Sequence, residues 1–147
     1  MVDYSTEAHM TDQTALKFNQ VTVVSLTTLA LVTRMPWLMA GLGAAMLLGA
    51  LRPQTAPLRA AYRALSPILR LRANTVQDDP RAHHFAQGVG GTFLLASALA
   101  GLAGLQVLSA LLGVTVIALA LLNLTTRICV GCLMYFQWRM LRYRLTR

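Results

Sequence analysis

The chain has 147 residues, of which 56% are apolar and only 12% charged, about half the charged share usual in soluble domains. A soluble chain of this size needs more charge to cover its surface, so the composition excludes an ordinary soluble domain and points to one membrane domain over residues 1–147. The net charge of +8 would suggest a nucleic-acid binder in a soluble protein, but here the basic residues flank apolar runs. In that setting Lys and Arg set orientation and attract anionic lipid headgroups, at roughly 1 kcal/mol each, and no nucleic-acid partner is expected.

Residues 1–14 read as a polar tail carrying Asp3, Glu7 and Asp12. A secretory leader begins basic and turns apolar, so insertion is expected to be driven by the first span itself. That span covers 15–33 and ends at the turn Arg34-Met35-Pro36. The second, 37–51, is short against the about 20 residues typical of a bilayer crossing, and is expected to begin in the turn or to thin the membrane locally.

Within the 52–84 connection, Leu58, Tyr62, Leu65 and Leu69 recur at helical spacing, with Arg59, Arg63 and Arg70 on another stripe. The spacing predicts a basic amphipathic helix over 57–71, started by Pro57 and kinked or interrupted at Pro67, lying in the headgroup plane. Asn74 to Arg81 is polar and turn-like, and Asp78-Asp79-Pro80 can start the third span, 85–102. Gly101, Gly104 and Gln106 make a tight uncharged connection to the fourth, 107–126. In the tail, Tyr135, Phe136, Trp138 and Tyr143 interleave with Arg139, Arg142, Arg144 and Arg147, which predicts a second interfacial helix over 132–145. The fold class is therefore all-α: a polytopic four-helix transmembrane bundle of two hairpins, with basic amphipathic interfacial helices.

Two short connections place Arg34 and the Gly104 turn on one side, so twelve of the thirteen Lys and Arg residues fall on the other. Positive charge resists translocation, which makes the crowded side cytoplasmic and the topology N-in, C-in. Phe18-Asn19-Gln20 opens span one and Phe85-Ala86-Gln87 opens span three, a weak sign that the hairpins are a parallel repeat. Small residues recur every fourth position at Gly41, Ala45 and Gly49, and at Ala96, Ala100 and Gly104. These stripes are expected to let helices approach closely inside the bundle, and they leave oligomerisation open.

The sharpest chemical signal is Arg127-Ile128-Cys129-Val130-Gly131-Cys132. Cysteines three apart share a helical face, and a helix N-terminus favours the thiolate, as Arg127 should also do. The reading is a reactive dithiol at the cytoplasmic edge of span four, against the plain alternative of two small residues filling a junction. The reducing cytoplasm opposes a permanent disulfide, so a working pair would cycle, carry sulfur or exchange with a soluble partner. Which cysteine attacks is left open.

His83 and His84 lie at a similar depth, and with Cys129 and Cys132 they would make a zinc-binding set, although adjacent histidines point different ways on a helix. No resident metal or cofactor is called for. Asn19, Gln20, Gln87 and Asn123 gather near the same mouth, as helix-to-helix hydrogen bonds or as the lining of a pocket between spans one and three. No charged residue lies deep in a span, which argues against an ion-coupled transporter.

The segment from Asp79 to Gly90, with Cys129-Val130-Gly131-Cys132-Leu133-Met134-Tyr135 and the Phe18-Asn19-Gln20 opening, resembles the bacterial membrane family catalogued as domain of unknown function 4395. The resemblance runs from about Lys17 to Tyr135, with matching positions at Phe85, Gln87, Cys129, Gly131, Cys132 and Tyr135. It implies a bacterial inner-membrane protein with a four-span plan similar to DoxX-like proteins, working near thioredoxin-like or sulfurtransferase partners. The expectation is an accessory protein using the Cys129/Cys132 pair for thiol exchange or sulfur handling, supported by Gln87 and Asn123. A small permeation or binding protein opening on Gln20 and Gln87, and a structural subunit of a larger complex, are the other readings.

Overall fold

The computed structural model describes residues 10–52, 57–70, 75–77 and 80–147. Two strands and six helices occur among them: β1 (Met10–Asp12), α1 (Gln13–Thr33), α2 (Pro36–Leu51), α3 (Pro57–Leu65), β2 (Thr75–Gln77), α4 (Pro80–Leu102), α5 (Gln106–Thr126) and α6 (Val130–Leu145). Three helices, α1, α4 and α5, are long and apolar enough to cross a membrane, and α2 is a shorter apolar helix. The expected polar tail is not featureless: β1 pairs antiparallel with β2, Met10 opposite Gln77, Thr11 opposite Val76 and Asp12 opposite Thr75. Three residues are too few for an alternation to be visible in sequence. The ladder holds the starts of α1 and α4 at the same end. Residues 1–9 of the expected tail lie outside the described residues.

The other boundaries move for local reasons. α4 begins at Pro80, five residues before the expected start, because proline suits the first turn of a helix, where its missing N–H is no loss. The expected helix over 57–71 ends at Leu65 and gives way to a turn through Arg70. Pro67 lacks the N–H that would continue the ladder and disfavours helical geometry at Ser66. α6 starts at Val130, two residues early, because Cys129 caps it.

Helices α1, α2, α4 and α5 form a ring in that order, with α2 on α4 the most extensive pair and α1 and α4 diagonal. Val23, Leu42, Met46, Leu94 and Val116 fill its centre, so each helix of the ring contributes to one core. The expected small-residue stripes hold in part: Gly49 and Ala100 are buried, whereas Gly41 and Gly104 are not in contact. Gly41 faces open space, and the close approach is Gly43 against Gly91, where a Cβ on either glycine would lie 2.9 Å from the other's carbonyl oxygen. Near the turn end, Ser97 donates to the Ser109 carbonyl at 2.7 Å, within a fully enclosed contact.

The outer surface is apolar: Val32, Trp37 and Val107 are 77%, 71% and 76% exposed. Exposed hydroxyls fold back onto their own helix, as Thr28 does to Val24, Thr33 to Leu29, Thr115 to Leu111 and Thr125 to Leu121. Each such bond satisfies the donor internally, the condition for tolerating a polar side chain in hydrocarbon.

The two hairpins share one turn. Arg34 and Gly104 take left-handed backbone conformations with φ of 54° and 82°. After them Met35 N–H bonds to the Ala30 carbonyl at 3.0 Å, and Leu105 N–H to that of Ala100 at 2.8 Å. This is the same helix-ending motif twice, with glycine in the position it favours only the second time.

Candidate functional site

The dithiol is built by the junction of α5 and α6. α5 stops because Arg127 adopts φ 57°, with its N–H on the Asn123 carbonyl at 3.0 Å. The chain then turns extended, and Cys129 becomes the N-cap of α6, its Sγ accepting from the Cys132 backbone N–H at 3.3 Å. A thiol is an unusual cap, but as a thiolate it accepts strongly and meets the positive end of the α6 dipole.

α4 supplies the third group. Its first turn carries His83, whose Nδ1 lies 3.7 Å from Cys132 Sγ. One ligand atom each from His83, Cys129 and Cys132 falls within 4.8 Å of the others, all three side chains are half-buried, and both cysteines are free thiols.

Two contacts hold α6 against α4. Gly131 sits so close to Ala86 that a Cβ on it would lie 2.5 Å from the Ala86 Cβ. Phe85 and Tyr135 pack ring on ring, with centroids 5.6 Å apart at a tilt of 49°. The C-x-G-C spacing therefore has a steric cause: the glycine lets the helix N-terminus reach His83.

These surroundings lower the Cys129 thiol to about 5, from an ordinary value near 8.5. The largest cause is the hydrogen bond from the Cys132 side chain; burial opposes it by disfavouring the charged form. A hydrogen bond from His83, the Cys132 N–H and the charge of a protonated His83 all lower it further. Arg127, expected to act on the thiols, is exposed and is not among these causes. Its part in the site is the backbone turn.

The site thus unites Cys129, Gly131, Cys132, Phe85 and Tyr135 with His83, and leaves His84 outside the three-atom cluster. Gln87, four residues after His83, shares its face of α4 one turn along and is half-buried. Asn123 contributes a backbone carbonyl to the α5 cap. Gln20 is half-buried on α1, diagonally across the ring. Asn19 Oδ1 is buried without a hydrogen-bond partner among the described residues. A separate cavity of about 320 Å³ lies at the opposite end, between the α1–α2 turn and the start of α5, lined by Arg34, Gln106 and Ser109 among others. Sequence reasoning placed His83 only in a metal set; the signal for its thiol contact was its position in the first turn after Pro80.

Residues 11–140 match the family model described as Domain of unknown function (DUF4395), and the chain belongs to that family. No curated protein and no solved structure matches it.

Proposed function

We propose that this protein is a four-span inner-membrane thiol–disulfide exchanger that works at the cytoplasmic surface. The observation that carries the reading is the capped Cys129 sulfur with Cys132 Sγ and His83 Nδ1 gathered around it.

The Cys129 thiolate attacks one sulfur of a partner's disulfide, forming a mixed disulfide and expelling the partner's other sulfur as thiolate. The expelled thiolate takes the proton of His83, and the neutral imidazole then accepts the Cys132 proton as Cys132 attacks Cys129 Sγ, which breaks the mixed bond and releases the partner's second thiolate. The pair is oxidised by two electrons and the partner is reduced. The reverse sequence regenerates the dithiol with electrons from a reduced partner. A thioredoxin-like or sulfurtransferase protein with a disulfide near a flat surface is the fitting partner class.

The membrane setting follows the charge and the exposed surface. α2 has 16 residues, about 24 Å of helix against about 30 Å of hydrocarbon, and crosses with local thinning of the bilayer. Trp37 at the turn end and Trp138 on α6 are both largely exposed, one for each interface. Twelve of the thirteen Lys and Arg residues fall, by sequence, in the segments joined to the thiol end of the spans, which supports a cytoplasmic thiol end with N-in, C-in topology. α6 buries none of its residues and mixes exposed Phe136, Trp138 and Leu141 with arginines, Arg142 stacking 5.5 Å from the Trp138 ring. It lies in the headgroup plane beside anionic lipid, as α3 does.

The test is trapping. Cys132→Ser removes the resolving thiol, so Cys129 should accumulate a mixed disulfide with a thioredoxin-like protein in membranes. Cys129→Ser should trap nothing. Equal trapping by both variants, or none by either with the cysteines shown to be reduced and reachable, would overturn the mechanism. Maleimide labelling from the periplasmic side alone would overturn the topology.

A further inference from the structure

We propose that Cys129, Cys132 and His83 bind one soft, thiophilic cation, Zn²⁺ or Cu⁺, and that metal loading and disulfide formation compete for the same two sulfurs. The inference deepens the thiol-exchange reading and rests on its premise that both sulfurs are reduced and reachable.

Three donors converge from two chain segments 49 residues apart, which local helix packing alone does not require. With metal–sulfur and metal–nitrogen bonds of about 2.3 and 2.1 Å, tetrahedral geometry separates a thiolate and an imidazole by about 3.6 Å. Cys132 Sγ and His83 Nδ1 already stand 3.7 Å apart, and rotamer adjustment brings Cys129 Sγ from within 4.8 Å into the same shell.

Among the described residues the donor set is two sulfurs and one nitrogen with no carboxylate, a set that favours zinc or cuprous copper over Mg²⁺ and Ca²⁺. Gly131 makes the site possible, since any larger residue would lift α6, and both sulfurs, from Ala86 and His83. Three protein donors leave the fourth position of a zinc site open to water or an incoming thiol, while a cuprous ion is satisfied by three.

The competition balances chemically. A bound cation holds both sulfurs as thiolates and occupies their lone pairs, so neither attacks a partner's disulfide. From the metal-free fraction a partner's disulfide takes the two electrons, the Cys129–Cys132 bond forms and the partner leaves as two thiolates, so oxidation draws the cation out of the site by mass action. The site is then an exchanger silenced by metal, or a metal site emptied by oxidation.

The experiment uses the reduced full-length protein in lipid nanodiscs under anaerobic conditions. Zn²⁺ is titrated against a chromophoric chelator and, separately, Cu⁺ against bicinchoninate. One equivalent of at least one of the two ions should bind, with two sulfurs and one imidazole nitrogen in the X-ray absorption spectrum. Cys129→Ser and Cys132→Ser should each abolish it. His83→Ala should weaken it by more than the roughly 10- to 100-fold that loss of an outer-shell partner costs, and His84→Ala should leave it unchanged. Variants are compared only at matched melting temperature, with His83→Asn replacing His83→Ala if the latter does not fold.

No stoichiometric binding of either ion, or binding that His83→Ala leaves intact, overturns the proposal. Redox titration of the same sample separates the two readings. A disulfide that forms without metal binding leaves the exchanger standing and removes the metal site. Metal binding with no disulfide at any potential does the reverse.

Discussion

The two halves of the molecule follow one plan and differ in chemistry. Each is a helical hairpin closed by the same left-handed turn, at Arg34 and at Gly104, and followed by a basic helix. In each, the phenylalanine at the sixth position of the first helix packs on a tyrosine of that basic helix: Phe18 on Tyr62 and Phe85 on Tyr135, both with centroids 5.6 Å apart. The packing has the same alternation, with α2 against α4 and α5 against α1. Only the second half carries a histidine in the first turn of its first helix and thiols at the start of its basic helix. The scaffold explains how a helix N-terminus comes to lie against a span, and the substituents of one half put two thiols and an imidazole at that junction.

The largest expected effect would break the scaffold in both halves at once. Gly91→Val puts a branched side chain against the Gly43 carbonyl, 2.9 Å from the position of its Cβ. It should cost at least about 1–3 kcal/mol, the usual penalty of overpacking. A melt of the purified protein in detergent checks this, and an unchanged melting temperature would refute the glycine contact between α2 and α4.

Next comes the chemistry of the second half alone. Cys129→Ser with Cys132→Ser should remove all thiol exchange while shifting the melt by less than about 1 kcal/mol, because neither side chain is in the core. Residual exchange in the double variant would place the activity elsewhere.

A smaller change concerns pH. Cys129 has its thiolate favoured down to about 5, so alkylation of this residue should rise with pH around that value and be near its plateau at pH 6. The folded value lies below the unfolded one, so the thiolate preference is lost as pH falls through about 5. In His83→Ala the midpoint should move upward, since the lost hydrogen bond and charge both favour the thiolate. A wild-type midpoint near 8.5 would mean that the cap and the histidine do not act on the sulfur.

The smallest effect sharpens the comparison itself. Phe18→Ala and Phe85→Ala remove the same type of ring contact, worth about 0.5–1.5 kcal/mol beyond buried area, and should lower the melt alike. Only Phe85→Ala should also slow Cys129 alkylation at pH 6, because it loosens α6 from His83. Identical effects of both on the thiol would remove the functional asymmetry of the halves.

Much of this was legible because membrane helices advertise themselves by composition. Runs of apolar residues bounded by Arg34-Met35-Pro36, Gly104 and the arginine clusters mark the four apolar helices α1, α2, α4 and α5 to within five residues at either end. Pro57, Pro67 and Pro80 act through a missing N–H, a local effect readable wherever a proline stands. The β1–β2 ladder was not legible, since three residues per strand carry no period and their pairing spans the whole first hairpin. The small-residue stripes held at Gly49 and Ala100 but misled at Gly41 for a related reason: Gly41 and Gly43 look alike in sequence, and only the rotation of α2 against α4 decides which one meets a neighbour.

By itself the sequence determined the apolar helices, the gathering of basic charge at one end, the paired thiols and the family, because each depends on residue type and short-range spacing. The tertiary structure decided that His83 lies against the thiols, that Gly131 is needed to bring α6 down onto Ala86, and that α2 meets α4 at Gly43. Those are contacts between segments far apart in the chain. They depend on the angle and depth at which packed helices meet, and no local pattern of residues encodes that.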